Sequence, residues 1–225
     1  MSSNYILCID ASVQSASIAL ADGEQLLALK VCEQQREHAA FIQPAIEQIL
    51  QELHLKPNKI NAVAVTEGPG SYTGLRVGMA SAKGLCYALQ IPLITLRTLD
   101  VMAHTAKQQV SDASYLLCPM IDARRMEVFT AVYNEELNSV KEPHALILDE
   151  NSFTELEQQF IYFFGNGAAK WQTICKLPHA KFIEVKWNAS SMIKMAFEKF
   201  SQQQFASLAY AAPFYLKEFH NTSKV

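Results

Sequence analysis

The apolar positions change period along the chain, and each change marks an element. Tyr5 to Ile9, Ala16 to Leu20 and Gln25 to Val31 are short β-rich runs, with Asp22-Gly23 as a hairpin signal between the last two. They predict an opening antiparallel meander. From Glu37 to Leu53 the residues Ile42, Ile46, Ile49, Leu50 and Leu53 recur at helical spacing, so a helix is expected, kinked or restarted at Pro44. A strand at Ile60 to Val65, a glycine-rich turn, a helix at Thr73 to Leu89, a short strand at Leu93 to Leu96 and a helix at Leu99 to Val110 follow.

The second half replays that order. Strands are expected at Tyr115 to Ile121, Glu127 to Tyr133 and Ala145 to Leu148, then a helix near Phe153 to Gln159 and a strand at Ile161 to Phe164. A helix near Ala168 to Cys175, a strand at Phe182 to Val185 and a helix at Ser190 to Phe200 complete it. The duplication is one of element order, with no residue-level repeat. The first strand of each half ends in an aspartate, Asp10 or Asp122. The order suggests two similar α/β lobes facing each other across a cleft, residues 1–110 and 111–205, with a C-terminal segment 206–225 free to return to the first lobe.

The densest information lies in Thr66-Glu67-Gly68-Pro69-Gly70-Ser71-Tyr72-Thr73-Gly74-Leu75-Arg76-Val77-Gly78. A Walker loop needs lysine and then Ser or Thr directly after its last glycine, but Leu75 follows Gly74 and Met79 follows Gly78. A dinucleotide fingerprint fails too, because Thr73 stands where its third glycine belongs. The glycines are therefore read as packing devices. Gly70, Gly74, Gly78 and Ala82 recur every fourth residue, and an interior helical glycine costs about 0.8 to 1 kcal/mol against alanine.

On a helical wheel, Leu75, Met79, Ala82, Cys86 and Leu89 share one face and Val77, Ser81, Gly84 and Ala88 another, leaving Arg76, Lys83 and Gln90 as a polar wedge. A helix that is apolar or small around most of its circumference is buried on more than one side. Its second neighbour is a helix of the same fold or a partner chain. The partner is the favoured reading, with the Gly70-Gly74-Gly78 edge at its centre and Arg76 and Lys83 at its rim. On that reading Gly78→Arg blocks association and leaves the isolated chain folded.

Composition narrows the function. Half of the residues are hydrophobic and 18% are charged, which supports a real core. The net charge of -3 argues against direct grip on a phosphate backbone. The five cysteines are scattered, with no Cys-x-x-Cys, as expected of reduced thiols in a cytoplasmic protein. Neither a signal-like N-terminus nor an apolar run of roughly 18 residues is present, so no membrane partner is expected.

Taken with Arg36-Glu37-His38, Asp122-Ala123-Arg124-Arg125 and Tyr215-Leu216-Lys217, the run from Glu67 to Arg76 resembles the TsaB (YeaZ) family within the glycoprotease-like (Gcp/TsaD) group, and the resemblance covers nearly the whole chain. It implies an actin-like, Hsp70-like ATPase fold (RNase H-like) in two lobes. It also implies a non-catalytic role beside a TsaD-like catalytic subunit that forms N6-threonylcarbamoyladenosine at position 37 of tRNA. A TsaE-like ATPase would dock on the pair, tRNA would be met only indirectly, and the isolated chain would form a homodimer. The implied interface uses the two helices of the first lobe, here Arg36, His38, Phe41, Ile42, Gly70, Tyr72, Gly74, Leu75, Arg76, Gly78, Met79, Ala82 and Lys83.

Two enzymatic alternatives stand beside it: a metallopeptidase of the glycoprotease type and an ATP-dependent small-molecule kinase. The catalytic relative carries His-x-x-x-His, which aims two imidazoles at one metal, whereas Ile42 stands four residues after His38 and none of the six histidines has another three to five residues away. The turn after Asp10 lacks the glycines that would cradle phosphate, and Arg124 and Arg125 crowd the equivalent turn after Asp122. Both aspartates read first as turn-formers. Gly165-Asn166-Gly167 reads as a turn that needs positive backbone angles. No catalytic residue, cofactor or metal is expected.

Overall fold

A computed structural model describes residues 3–34 and 37–217. The first half forms β1 (Tyr5–Asp10), β2 (Ala16–Asp22), β3 (Gln25–Cys32), α1 (His38–Glu52), β4 (Ile60–Gly68), α2 (Tyr72–Leu89), β5 (Leu93–Arg97) and α3 (Thr98–Lys107). The second forms β6 (Leu116–Asp122), β7 (Glu127–Asn134), β8 (Ser139–Ile147), β9 (Ile161–Phe164), α4 (Ala168–Gln172), β10 (Ala180–Phe182) and α5 (Ile193–Ser201).

The sheets are ordered β3-β2-β1-β4-β5 and β10-β9-β6-β7-β8, one strand plan used twice. In each, the first three strands form an antiparallel meander and the last two join in parallel. This is the actin-like, Hsp70-like ATPase architecture, two mixed sheets flanked by helices.

The period-2 alternation of β1 divides its side chains between two cores. Leu7 and Ile9 join Ile18, Leu20, Ile42, Ile49, Met79 and Cys86 under α1 and α2. Ile6 and Cys8 face the other way, with Ala19, Ala62 and Ala64. That second face is covered by Ala189, Met192, Ile193 and Ala196, from a 3-10 turn (Ala189–Met192) and α5 late in the chain. The Ala189 N–H also donates to Ser17 Oγ at 2.8 Å. The exchange is mutual. Leu99, Met102, Ala103 and Ala106 of α3 pack with Leu117, Ile121, Ala131 and Tyr133 of the second sheet, where the Tyr133 hydroxyl donates to Asp100 at 2.6 Å.

Several elements differ from expectation. Pro44 does not restart α1, which runs from His38 to Glu52, because Pro44 and Ala40, whose carbonyl would lose its helical donor, are both exposed and water can replace the bond. The helix expected at Phe153 to Gln159 is only a 3-10 turn at Thr154–Leu156. Phe153 takes a left-handed conformation (φ 64) and packs its ring against Phe163 and Trp171. The strand expected at Ala145 to Leu148 begins earlier, at Ser139, where polar residues on a sheet edge hide the alternation. That expected at Phe182 to Val185 lies at Ala180–Phe182, and the helix from Ala168 stops at Gln172.

Candidate docking face and the inter-lobe turns

Ser71 caps α2: its side chain accepts from the Gly74 N–H at 3.3 Å, and its own N–H donates to the Ser12 carbonyl at 2.6 Å. This ties the glycine-rich loop to the turn after β1. Leu75, Met79, Ala82 and Cys86 are buried with Gly74 and Gly78 against the sheet. A Cβ at Gly70 would lie 2.0 Å from the Ser12 carbonyl oxygen, and one at Gly74 2.0 Å from that of Ala11. At Gly78 it would meet Val65, Ala11 and Ile9 side chains at 3.6 to 3.7 Å.

The small-residue edge therefore serves close approach of the chain's own first strand and turn, and the expectation that it meets a partner is corrected. Gly78→Arg would drive a guanidinium into the core, so it cannot separate association from folding.

The opposite side of α2 is open. Thr73, Arg76, Ala80, Gly84, Tyr87 and Ala88 are exposed, with Val77 and Ser81 half-buried. Tyr87 is 73% exposed. A Cβ at Gly84 would meet nothing within 4 Å. This is the second small and apolar face of the wheel, and the described residues do not cover it. Ala80 and Tyr87 escape motif reading; their signal is their place among Val77, Ser81, Gly84 and Ala88.

Arg76 and Lys83 hold the chain's own C-terminal strap. Lys83 Nζ donates to the carbonyls of Ala211 at 2.9 Å and Ala209 at 3.4 Å. Arg76 Nε donates to the Tyr215 hydroxyl at 3.1 Å, and its guanidinium lies 4.0 Å from the centroid of the Tyr72 ring. Tyr72 and Tyr215 pack with centroids 5.3 Å apart. The strap also pairs Ala206 with Leu93, donates the Phe214 N–H to the Glu67 carbonyl at 2.6 Å, and ends with Lys217 on Glu127 of the second lobe at 2.6 Å.

On α1, Ile42 is wholly buried and Phe41 half-buried against the same core. His38 is 3% exposed. Its Nε2 lies 3.0 Å from the Gln14 carbonyl, which can only accept, so the Nε2–H tautomer is set. It pins the start of α1 to the turn after β1. Its Nδ1 is buried with no hydrogen-bond partner among the described residues. Arg36 falls outside the described residues.

The two aspartate turns are internally occupied. Asp10 Oδ1 accepts from the Ser12 N–H at 3.0 Å, the Ser12 hydroxyl at 2.6 Å and the Thr66 hydroxyl at 2.9 Å. Asp122 Oδ1 accepts from Lys170 Nζ and the Arg124 N–H, both at 2.6 Å. Partial burial pushes the Asp122 carboxyl up, but the Lys170 and Arg124 contacts outweigh it and hold it below the usual carboxylate range. Gly165 takes φ 95, and Asn166 Oδ1 accepts from the Asp122 N–H at 2.9 Å, so that turn braces the neighbouring one. Among the described residues, no three His, Cys, Asp or Glu side chains come together as a metal site.

The thiols divide by burial. Burial pushes Cys8 and Cys118 up to about 12 and Cys86 to about 11, whereas Cys32 and Cys175 are half-buried. A thiol-specific chromogenic reagent at pH 8 should label Cys32 first and Cys175 more slowly. Cys8, Cys86 and Cys118 should react only as the protein unfolds. Rapid labelling of all five in the native protein would contradict this packing.

Comparison with known proteins places this geometry. The family model described as "TsaD: tRNA N6-adenosine threonylcarbamoyltransferase" matches residues 26–151. The protein named tRNA threonylcarbamoyladenosine biosynthesis protein TsaB from Escherichia coli is 30% identical over 94% of this chain and 94% of its own length. The chain belongs to the TsaB family. The TsaB protein of Bacillus subtilis is 32% identical over 57% of this chain and 54% of its own length, so that match spans little more than half of the relative. In structure, YeaZ from Pseudomonas aeruginosa superimposes with a TM-score of 0.81 at 22% identity, over 95% of this chain and 100% of that one, the same fold throughout. Among the described residues, no helix is long and apolar enough to cross a membrane.

Proposed function

We propose that this TsaB-family chain is a non-catalytic subunit in the formation of N6-threonylcarbamoyladenosine at position 37 of tRNA, docking on a TsaD-like transferase through the outward face of α2 and the neighbouring surface of α1. The observation that carries this reading is the two-faced character of α2. One small and apolar face is sunk into the sheet, and the other, Val77, Ala80, Gly84 and Ala88 with Tyr87 beside it, lies open. Gly84 has no packing reason among the described residues, yet glycine costs a helix interior about 0.8 to 1 kcal/mol. Close approach of a second backbone supplies the reason. The names of the relatives supply the pathway, and the internally tied Asp10 and Asp122 support a role without chemistry of its own.

In the absence of that subunit the same face pairs two copies of the chain, and a TsaE-like ATPase joins the assembled pair. Gly84→Arg and Ala80→Glu should each reduce co-purification with the TsaD-like subunit by about 100-fold or more, because a desolvated charge is placed at the centre of a close contact. The melting temperature of the isolated chain should not fall, since both positions are exposed. Unchanged affinity in both variants would refute the docking face.

A further inference from the structure

A groove of about 720 Å³ runs between the lobes on the side of the strap. Its walls come from the hairpin after Asp122, the loop after β4, the end of β8 and the strap itself, and neither Asp10 nor Asp122 lines it. Arg124 and Arg125 are consecutive and exposed, both with positive φ, 71° and 51°. Arg124 helps hold Asp122 charged, but neither guanidinium makes an ion pair or hydrogen bond to a described side chain. The remaining cation in the groove, Lys217, is already paired with Glu127. A chain with a net charge of -3 thus gathers two uncommitted guanidiniums in one concavity.

Beside them stand apolar side chains left in water: Ile147 is 70% exposed, Met126 37% and Tyr215 40%. Guanidinium pairs match the oxygens of a phosphate in a fixed fork, and flat apolar walls match a planar ring. A simple anion would leave the apolar wall unused, and a purely apolar ligand would bury two charges unpaired.

We propose that this groove binds a nucleoside phosphate, the phosphate on Arg124 and Arg125 and the base against Met126 and Ile147. The ligand chemistry is shared by a free nucleotide and by one residue of an RNA strand. The site does not depend on which subunit docks on α2.

The test uses the full chain and three probes: adenosine 5'-monophosphate, a short single-stranded oligoribonucleotide and inorganic phosphate. Titration calorimetry serves the small molecules and fluorescence anisotropy the labelled oligomer. Saturable binding of the nucleotide or the oligomer, weakened about tenfold or more in the Arg124→Ala/Arg125→Ala double variant and again in Ile147→Glu, is the expected result. Tighter binding of the oligomer, falling steeply with added salt, identifies the source as RNA; equal or tighter binding of the monophosphate identifies a free nucleotide. All three positions are exposed, so melting curves should coincide with that of the parent chain. Co-purification with the TsaD-like subunit should persist in the double variant, separating this result from the fate of the docking face. No binding at about 1 mM, binding of inorganic phosphate alone, or equal affinity of parent and double variant would overturn the proposal.

Discussion

Gly74→Ala is expected to abolish the folded protein. The added methyl carbon would stand 2.0 Å from the Ala11 carbonyl oxygen, where even a close carbon–oxygen contact needs about 3.3 Å. Neither side can yield cheaply. Ala11 is clamped between β1 and Ser12, whose carbonyl accepts from Ser71 and whose N–H and hydroxyl bond Asp10. Gly74 is fixed by the Ser71 cap. A loss of about 4 kcal/mol or more follows, comparable with the total stability of a marginal domain at about 5 kcal/mol. Denaturant unfolding, or failure to express as soluble protein, reads the effect. Gly84→Ala is the internal control: one helix, the same substitution, nothing within 4 Å, and an expected gain of up to about 1 kcal/mol. A Gly74→Ala protein with the parental midpoint would refute the packing of the glycine loop on the first turn.

Residues 1–110 alone should not fold. Without the second half, Ile6, Cys8, Ala19, Ala62 and Ala64 lose Ala189, Met192, Ile193 and Ala196, and the buried stripe of α3 loses Leu117, Ile121 and Tyr133. Met192 and Ile193 each represent about 1.5 to 3 kcal/mol of burial. The exposed stripe of α3 would add an aggregation surface. Circular dichroism and amide hydrogen exchange on the fragment should show no cooperative transition, and co-expression with residues 111–225 should restore one. A fragment that unfolds cooperatively by itself would show that the exchanged helices are dispensable.

Much of this was legible because burial imposes period. The strands of the first meander, α1, α2 and the order of the second half follow from alternation and helical spacing. What periodicity cannot give is the identity of the surface that an apolar stripe meets. Met192, Ile193 and Ala196 read as one face of a helix whichever sheet they cover. Gly70, Gly74 and Gly78 announce close backbone contact without saying whose backbone. The anchors of the strap are hidden for a related reason: Lys83 and Arg76 read as a polar wedge at the rim of a partner contact, and the groups they hold, the Ala209 and Ala211 carbonyls and Tyr215, carry no pattern. Both aspartates are legible as turn-formers because a carboxylate can accept locally from the N–H two residues on, Ser12 for Asp10 and Arg124 for Asp122.

The exchanged helices and the strap from Ala206 to Lys217 have a mechanical consequence. Lobes stitched together at three places cannot swing about a simple hinge, as lobes joined by a single crossing can. The chain should behave as a rigid set square, with α2 on one arm and the Arg124 hairpin on the other. Whatever sits on the first arm would then hold a fixed distance and angle to whatever sits on the second.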